Sequence, residues 1–137
     1  MTTMTAKETA SWGRAAHATD PRLQVLRATA ELAGCSDRQL RSLLPYLDEV
    51  TVPAGHQLAV EGQLCSEFLV VMWGRLRASS RQGGVRDLRP GDSYGWRAMW
   101  ERAPNDATVM AESEARLLVA GHSQFRLLKS VGARPAV

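Results

Sequence analysis

Histidine, cysteine and paired carboxylates build most reaction centres, and here each stands in a pattern that assembles nothing. The three histidines, His17, His56 and His122, fall in an N-terminal arm, a glycine turn and a strand end, with no shared spacing. Acid–base work needs such a group within hydrogen-bond reach of a partner, which these positions do not predict. Cys65 comes just before the most apolar run of the chain and reads as a small buried hydrophobe rather than a nucleophile. Cys35 and Cys65 are too few and too far apart for a disulfide framework or a four-ligand zinc site. The carboxylate pairs Asp48-Glu49 and Glu112/Glu114 sit at strand edges and turns, where solvated charges are ordinary. No GxSxG elbow, HExxH, CxxC or Walker-type phosphate loop is expected anywhere in the chain. The expectation is a protein that is not an enzyme, with no catalytic residue, resident metal or cofactor.

One segment, from Leu88 to Ala111, is better ordered: a Pro-Gly turn, a second glycine, a short helical stretch, then a proline leading a strand. The elements that position it must come from a chain of 137 residues, enough for one domain with its own core. Apolar residues at 45% and charged residues at 23% are ordinary globular values. No apolar run approaches the ~18 residues of a membrane span, and Met1 to Thr19 lacks the apolar stretch of a secretory signal. The cytoplasm is the expected location. The net charge of +3 and a sequence pI near 9.3 come mostly from arginine, with Lys7 and Lys129 the exceptions. These arginines are scattered from Arg14 to Arg134, and no cluster exceeds the Arg75/Arg77 pair. A solvated, mildly basic surface follows, not a nucleic-acid footprint.

Residues 1–19 lack periodicity and are expected to form a flexible arm; residues 20–137 are read as one domain. Asp20-Pro21 reads as an N-cap with proline in the first helical position, ahead of Leu23, Leu26, Ala30 and Ala33 on one stripe. The spacing predicts a helix near 22–33, closed by Gly34 in a left-handed conformation. Ser36-Asp37-Arg38-Gln39 is a capping box for a second helix near 36–46, with Leu40, Leu43, Leu44 and Leu47 on its stripe and Pro45 near its end. Period-2 runs follow at 49–52, 57–60, 67–73, 75–80, 85–88, 107–111 and 115–120, separated by glycine turns. Phe68 to Trp73 is apolar on both faces, as a strand between two layers should be. The pattern predicts a mainly β fold with short flanking helices: about eight antiparallel strands in a jelly-roll β-barrel across 49–121. Ser123 is expected to cap a last helix, 123–130, that buries Phe125 and Leu128. A jelly roll can hold a metal through an HxH pair, but Pro53-Ala54-Gly55-His56-Gln57-Leu58 offers one histidine and no second.

The run Leu88-Arg89-Pro90-Gly91-Asp92-Ser93-Tyr94-Gly95-Trp96-Arg97-Ala98-Met99-Trp100, continuing to Pro104-Asn105-Asp106-Ala107-Thr108-Val109, resembles the phosphate-binding cassette of the cyclic-nucleotide-binding domain family. The Leu-rich helix before the strands, Val52-Pro53-Ala54-Gly55, Glu61-Gly62 and Val71-Met72-Trp73-Gly74-Arg75-Leu76 agree in order and spacing, so the resemblance covers about Ser36 to Ser130. It implies an eight-stranded antiparallel β-roll whose cassette, from Gly91 through Tyr94, Gly95 and Ala98 to Ala107 and Thr108, holds a cyclic nucleotide. In such a cassette backbone N–H groups cradle the cyclic phosphate. A glutamate after the aromatic-Gly pair takes the ribose hydroxyl, and an arginine in a Pro-Arg-x-Ala stretch pairs the phosphate.

This chain departs at both charged positions. Trp96 stands where the ribose carboxylate is expected, and Asn105, with Asp106 beside it, where the arginine is expected. Losing a charge-assisted bond to phosphate costs about 1.5–3 kcal/mol, and a neighbouring carboxylate adds repulsion. Two arrangements remain open. Trp96 and Trp100 could fill or line a degenerate pocket on a protein-interaction scaffold. Alternatively Arg97 or Arg102 reaches in for the missing guanidinium while Trp96 stacks on the base. The expected function is a regulatory or adaptor module with lost or altered ligand specificity, acting through a partner protein or a second copy. The alternative is a working cyclic AMP or cyclic GMP sensor with a substituted arginine. Seven residues beyond Ser130 leave no room for a DNA-reading module, so direct base contact is not expected.

Overall fold

The computed structural model describes residues 20–130; the expected arm over 1–19 and the last seven residues lie outside them. Helix α1, Pro21–Ala28, begins as its sequence dictates, with Asp20 accepting a hydrogen bond from the Arg22 N–H at 2.9 Å and proline in its first turn. It stops eight residues on. Thr29 is extended, and its buried hydroxyl lies 2.7 Å from the Val25 carbonyl and 3.1 Å from the carbonyl of Gly91. A threonine hydroxyl competes with the helical ladder for backbone partners, and here it ties the helix end to a distant turn. The single helix expected over 22–33 is therefore broken, and a 3₁₀ turn, Ala30–Leu32, follows. The break rotates the stripe: Ala30 and Ala33 are exposed and Leu32 is buried in their place. Gly34 does not take the left-handed conformation expected of it; the turn closes through the Cys35 N–H onto the Leu32 carbonyl.

Helix α2, Asp37–Leu43, carries the capping box, with the Ser36 N–H donating to the Gln39 side chain at 2.8 Å and the Gln39 N–H to Ser36 Oγ at 3.2 Å. At Pro45 the helix tightens into a 3₁₀ turn, Leu44–Tyr46, because proline has no N–H to continue the ladder.

Eight strands follow: β1 (Asp48–Val52), β2 (Gln57–Ala59), β3 (Phe68–Trp73), β4 (Leu76–Ser79), β5 (Val85–Leu88), β6 (Ser93–Tyr94), β7 (Thr108–Ala111) and β8 (Ala115–Ala120). They form two antiparallel sheets in the orders β1-β8-β3-β6 and β2-β7-β4-β5. The order is that of a double-sheet jelly roll, and the ladders do not close into the single eight-stranded barrel expected from sequence. Strand β6, two residues long, has no period that a sequence could show.

The doubly apolar β3 explains the layering. Phe68 and Val70 face a cluster with Leu23, Leu26, Leu40, Leu43 and Leu118, while Leu69 and Val71 face the second sheet through Leu76, Leu88 and Val109. The first sheet thus lies between the helices and the second sheet. Helix α3, Trp96–Glu101, occupies the loop between β6 and β7, and α4, His122–Ser130, closes the helical layer with Phe125 and Leu128 buried. Ser123 lies inside α4 rather than capping it, and the Gln124 side chain instead accepts the Gly121 N–H at 2.7 Å.

Candidate functional site

The segment from Gly91 to Thr108 wraps one end of the two sheets and leaves a cavity of about 310 Å³. That volume is at the small end for ligand pockets, which run from about 300 Å³ upward. Its wall includes Tyr94, Gly95, Trp96, Arg97, Ala98 and Asp106, and charged residues that sequence reasoning missed: Glu31, Arg86 and Glu101.

Two glycines shape the approach. Gly91, with φ 92°, makes the turn after β5, where a Cβ would meet the Ala28 methyl at 3.0 Å. Gly95, with φ 99°, starts α3, and a Cβ there would stand 2.5 Å from the Glu67 carbonyl oxygen. The left-handed conformation favours glycine at both positions, and at Gly95 the approach to Glu67 leaves no room for a Cβ. Gly95→Ala is expected to cost about 2–4 kcal/mol, read as a lowered urea midpoint with an unchanged slope. A wild-type midpoint would refute the close approach.

Tyr94 organises the interior of the segment. Its hydroxyl donates to Asp106 Oδ1 at 2.8 Å and accepts the Ala107 backbone N–H at 3.1 Å. Burial first, then the bond to Asp106 and its charge, push the phenol above its ordinary range, so it stays a neutral donor. A backbone N–H of the segment is thereby satisfied from within, beside a carboxylate on the cavity wall. Ser93 makes a similar contact, donating to Glu31 Oε1 at 2.6 Å. The string Gly91-Asp92-Ser93-Tyr94-Gly95 does have GxSxG spacing, contrary to the expectation that no such string occurs. It is not a nucleophile elbow: Ser93 lies within β6 and its hydroxyl goes to a carboxylate, with no histidine among its hydrogen-bond partners in the described residues.

The remaining expected site residues scatter. Asn105 is buried, but its amide donates to the Val60 carbonyl at 3.1 Å, and it is not among the residues of the cavity wall. Its Oδ1 is buried with no partner among the described residues. Thr108 accepts the Glu61 N–H at 3.1 Å and borders a different groove, with Ser79, Ser80 and Arg81. Arg97 is on the wall, 82% exposed and 3.7 Å from Glu101. Arg102, exposed and left-handed at φ 55°, terminates α3 and is not on the wall.

Trp96 turns into the core. It is 4% exposed, with ring centroids 5.1 Å from Phe68 and 4.9 Å from Phe125, both edge-to-face. Its indole N–H is buried without a partner among the described residues. Trp100 stands behind it, 6.4 Å from Phe125 and under the Lys129 ammonium at 4.6 Å, and is not on the cavity wall. Neither ring is laid out to stack on a ligand in the cavity.

Arg86 had a readable signal. It is exposed, yet it lies two residues from buried Leu88 on β5 and opposite Ala78, which is 4% exposed, so strand alternation puts it on the strand face that borders the cavity. Among the described residues no group of three or more histidine, cysteine, aspartate or glutamate side chains is placed to hold a metal, and no helix is long and apolar enough to cross a membrane.

A family model described as the cyclic nucleotide-binding domain matches residues 49–130. Similar curated proteins include the cAMP-dependent protein kinase regulatory subunit of Neurospora crassa, 28% identical over 99 residues (65% of this chain, 26% of the relative). That of Eremothecium gossypii is 29% identical over 104 residues (75% and 23%). The chain spans about a quarter of the length of these relatives. Among solved structures, the regulatory domain of Toxoplasma gondii PKA with cAMP superimposes with a TM-score of 0.69 at 24% identity, covering 78% of this chain and 42% of that one. The N-terminal domain of a transcriptional regulator from Streptomyces coelicolor gives 0.66 at 28% identity, covering 77% and 78%.

Proposed function

The chain belongs to the cyclic nucleotide-binding domain family, and from that premise we propose that it is a non-enzymatic regulatory or adaptor domain whose pocket has lost ordinary affinity for cyclic nucleotides. The observation that carries this reading is the pairing of Tyr94 with Asp106 and Ala107. A neutral phenol takes the backbone N–H, and a carboxylate stands on the wall of a cassette that in the family receives a phosphate. Position 105, where the family has its arginine, carries an amide bonded to Val60 instead. Phosphate would meet repulsion where it needs a counter-charge. Output through a partner protein or a second copy is in keeping with relatives named as regulatory subunits of a kinase. The jelly roll then serves as a scaffold whose pocket biases that contact.

Isothermal titration of the purified protein with cyclic AMP and with cyclic GMP is expected to show no saturable binding in the micromolar range. The rival reading, a sensor with a substituted arginine, is favoured by Arg97 on the wall. Micromolar binding abolished by Arg97→Ala would establish it and overturn the proposal.

A further inference from the structure

Resting on the reading that cyclic nucleotides are no longer the ligand, we propose that the same cavity binds a small zwitterion of the amino-acid type, its cationic end on Glu31 and Asp106 and its carboxylate on Arg86. The charges on the wall carry the argument. Arg97 and Glu101 are exposed and stand near each other, so they largely offset one another. What remains is Glu31 and Asp106 against Arg86.

Each of these carboxylates has one oxygen engaged by a neutral hydroxyl, Glu31 Oε1 by Ser93 and Asp106 Oδ1 by Tyr94. Neither hydroxyl neutralises the charge. Both orient the carboxylate and leave its second oxygen without a hydrogen-bond donor among the described residues, which suits an ammonium or guanidinium group. Arg86 is exposed and makes no ion pair or side-chain hydrogen bond with another described residue, and the alternation of β5 puts it on the same strand face as Leu88, at the cavity wall. A guanidinium on the cavity wall with its fork of donors open is suited to a carboxylate. Arg86 and Asp106 also line a second hollow, of about 280 Å³, so the cation and one of the anions border both spaces. Trp96 adds a buried donor without an acceptor on the same wall. Opposite charges around one cavity this small select a ligand that carries both, and they disfavour a cyclic phosphate with no cation to offer.

The test is titration calorimetry of the full chain against the proteinogenic amino acids and linear ω-amino acids, with cyclic AMP as a separate arm. At least one amino acid is expected to bind saturably. Its decarboxylated amine is expected to bind about tenfold or more weakly, as is the amino acid itself to Arg86→Gln and to Asp106→Asn, the loss of one charge-assisted contact. Asn at 106 can still accept from Tyr94, and Glu31→Gln is the parallel variant should either of these fail to fold. No saturable binding across the panel, or binding indifferent to all three substitutions, overturns the inference and leaves the proposed function standing. Micromolar cyclic AMP binding by the wild type overturns the proposed function, whatever the panel shows.

Discussion

Trp96→Glu, which would restore the residue type that the family uses for the ribose, is expected to destabilise the domain rather than repair its pocket. Trp96 is 4% exposed, in edge-to-face contact with Phe68 and Phe125 and 5.9 Å from Trp100 by ring centroids. Removing such a ring costs about 3–5 kcal/mol in lost burial and cavity formation, and a carboxylate left in an aromatic cluster adds a desolvation penalty. Against a domain stability of about 5–15 kcal/mol, the variant should be largely unfolded or have a greatly lowered urea midpoint. Trp96→Phe is the control. It keeps a ring against Phe68 and Phe125 and removes the unpartnered indole N–H, so its loss should be much smaller. A Trp96→Glu protein with the wild-type midpoint would show that the side chain is not a core residue.

Asn105→Arg combined with Asp106→Ala is expected to raise cyclic AMP affinity by one to two orders of magnitude, about 1.4–2.8 kcal/mol. The substitution sacrifices one bond, from the Asn105 amide to Val60, and removes an oxygen that is buried without a partner. The longer guanidinium can leave that site for the cavity, and the repelling carboxylate is gone. Tyr94 keeps an acceptor in the Ala107 carbonyl at 3.3 Å, so the fold should tolerate the loss of Asp106. Asp106→Ala alone should gain less, because it removes repulsion without adding attraction. Titration calorimetry of the three proteins side by side decides the matter. An affinity for cyclic AMP unchanged by the double substitution would mean that the missing charge at position 105 is not what weakens binding. Adding Trp96→Glu as a third change, the obvious step from sequence, should fail for the stability reason above.

Much of the scaffold was legible because it is written in short-range terms. The capping box at Ser36 to Gln39 needs contact only between residues three apart, and it forms as read. The two-faced apolar run of β3 announced a strand between layers, and its alternate residues do enter different clusters. Glycines at 91 and 95 marked turns that favour glycine, and both have positive φ. The expected barrel was less secure. Strand periodicity says which residues pair along a face, not whether two sheets close on each other, and here they do not.

Sequence alone thus determined the family and most of the strands and helix starts, since each depends on residue type and local spacing. Tertiary structure decided which way the cassette's side chains turn. Asn105 is drawn to Val60, 45 residues away; Thr108 to Glu61, 47 away; and Thr29 breaks its helix for the carbonyl of Gly91, 62 away. Within an irregular loop no period assigns a face to a side chain, so it settles wherever distant chain supplies a hydrogen-bond partner or a core to fill. Glu31 and Arg86, from outside the motif, thus join Tyr94, Trp96 and Asp106 on the cavity wall, while Asn105, Arg102 and Thr108 are not on it.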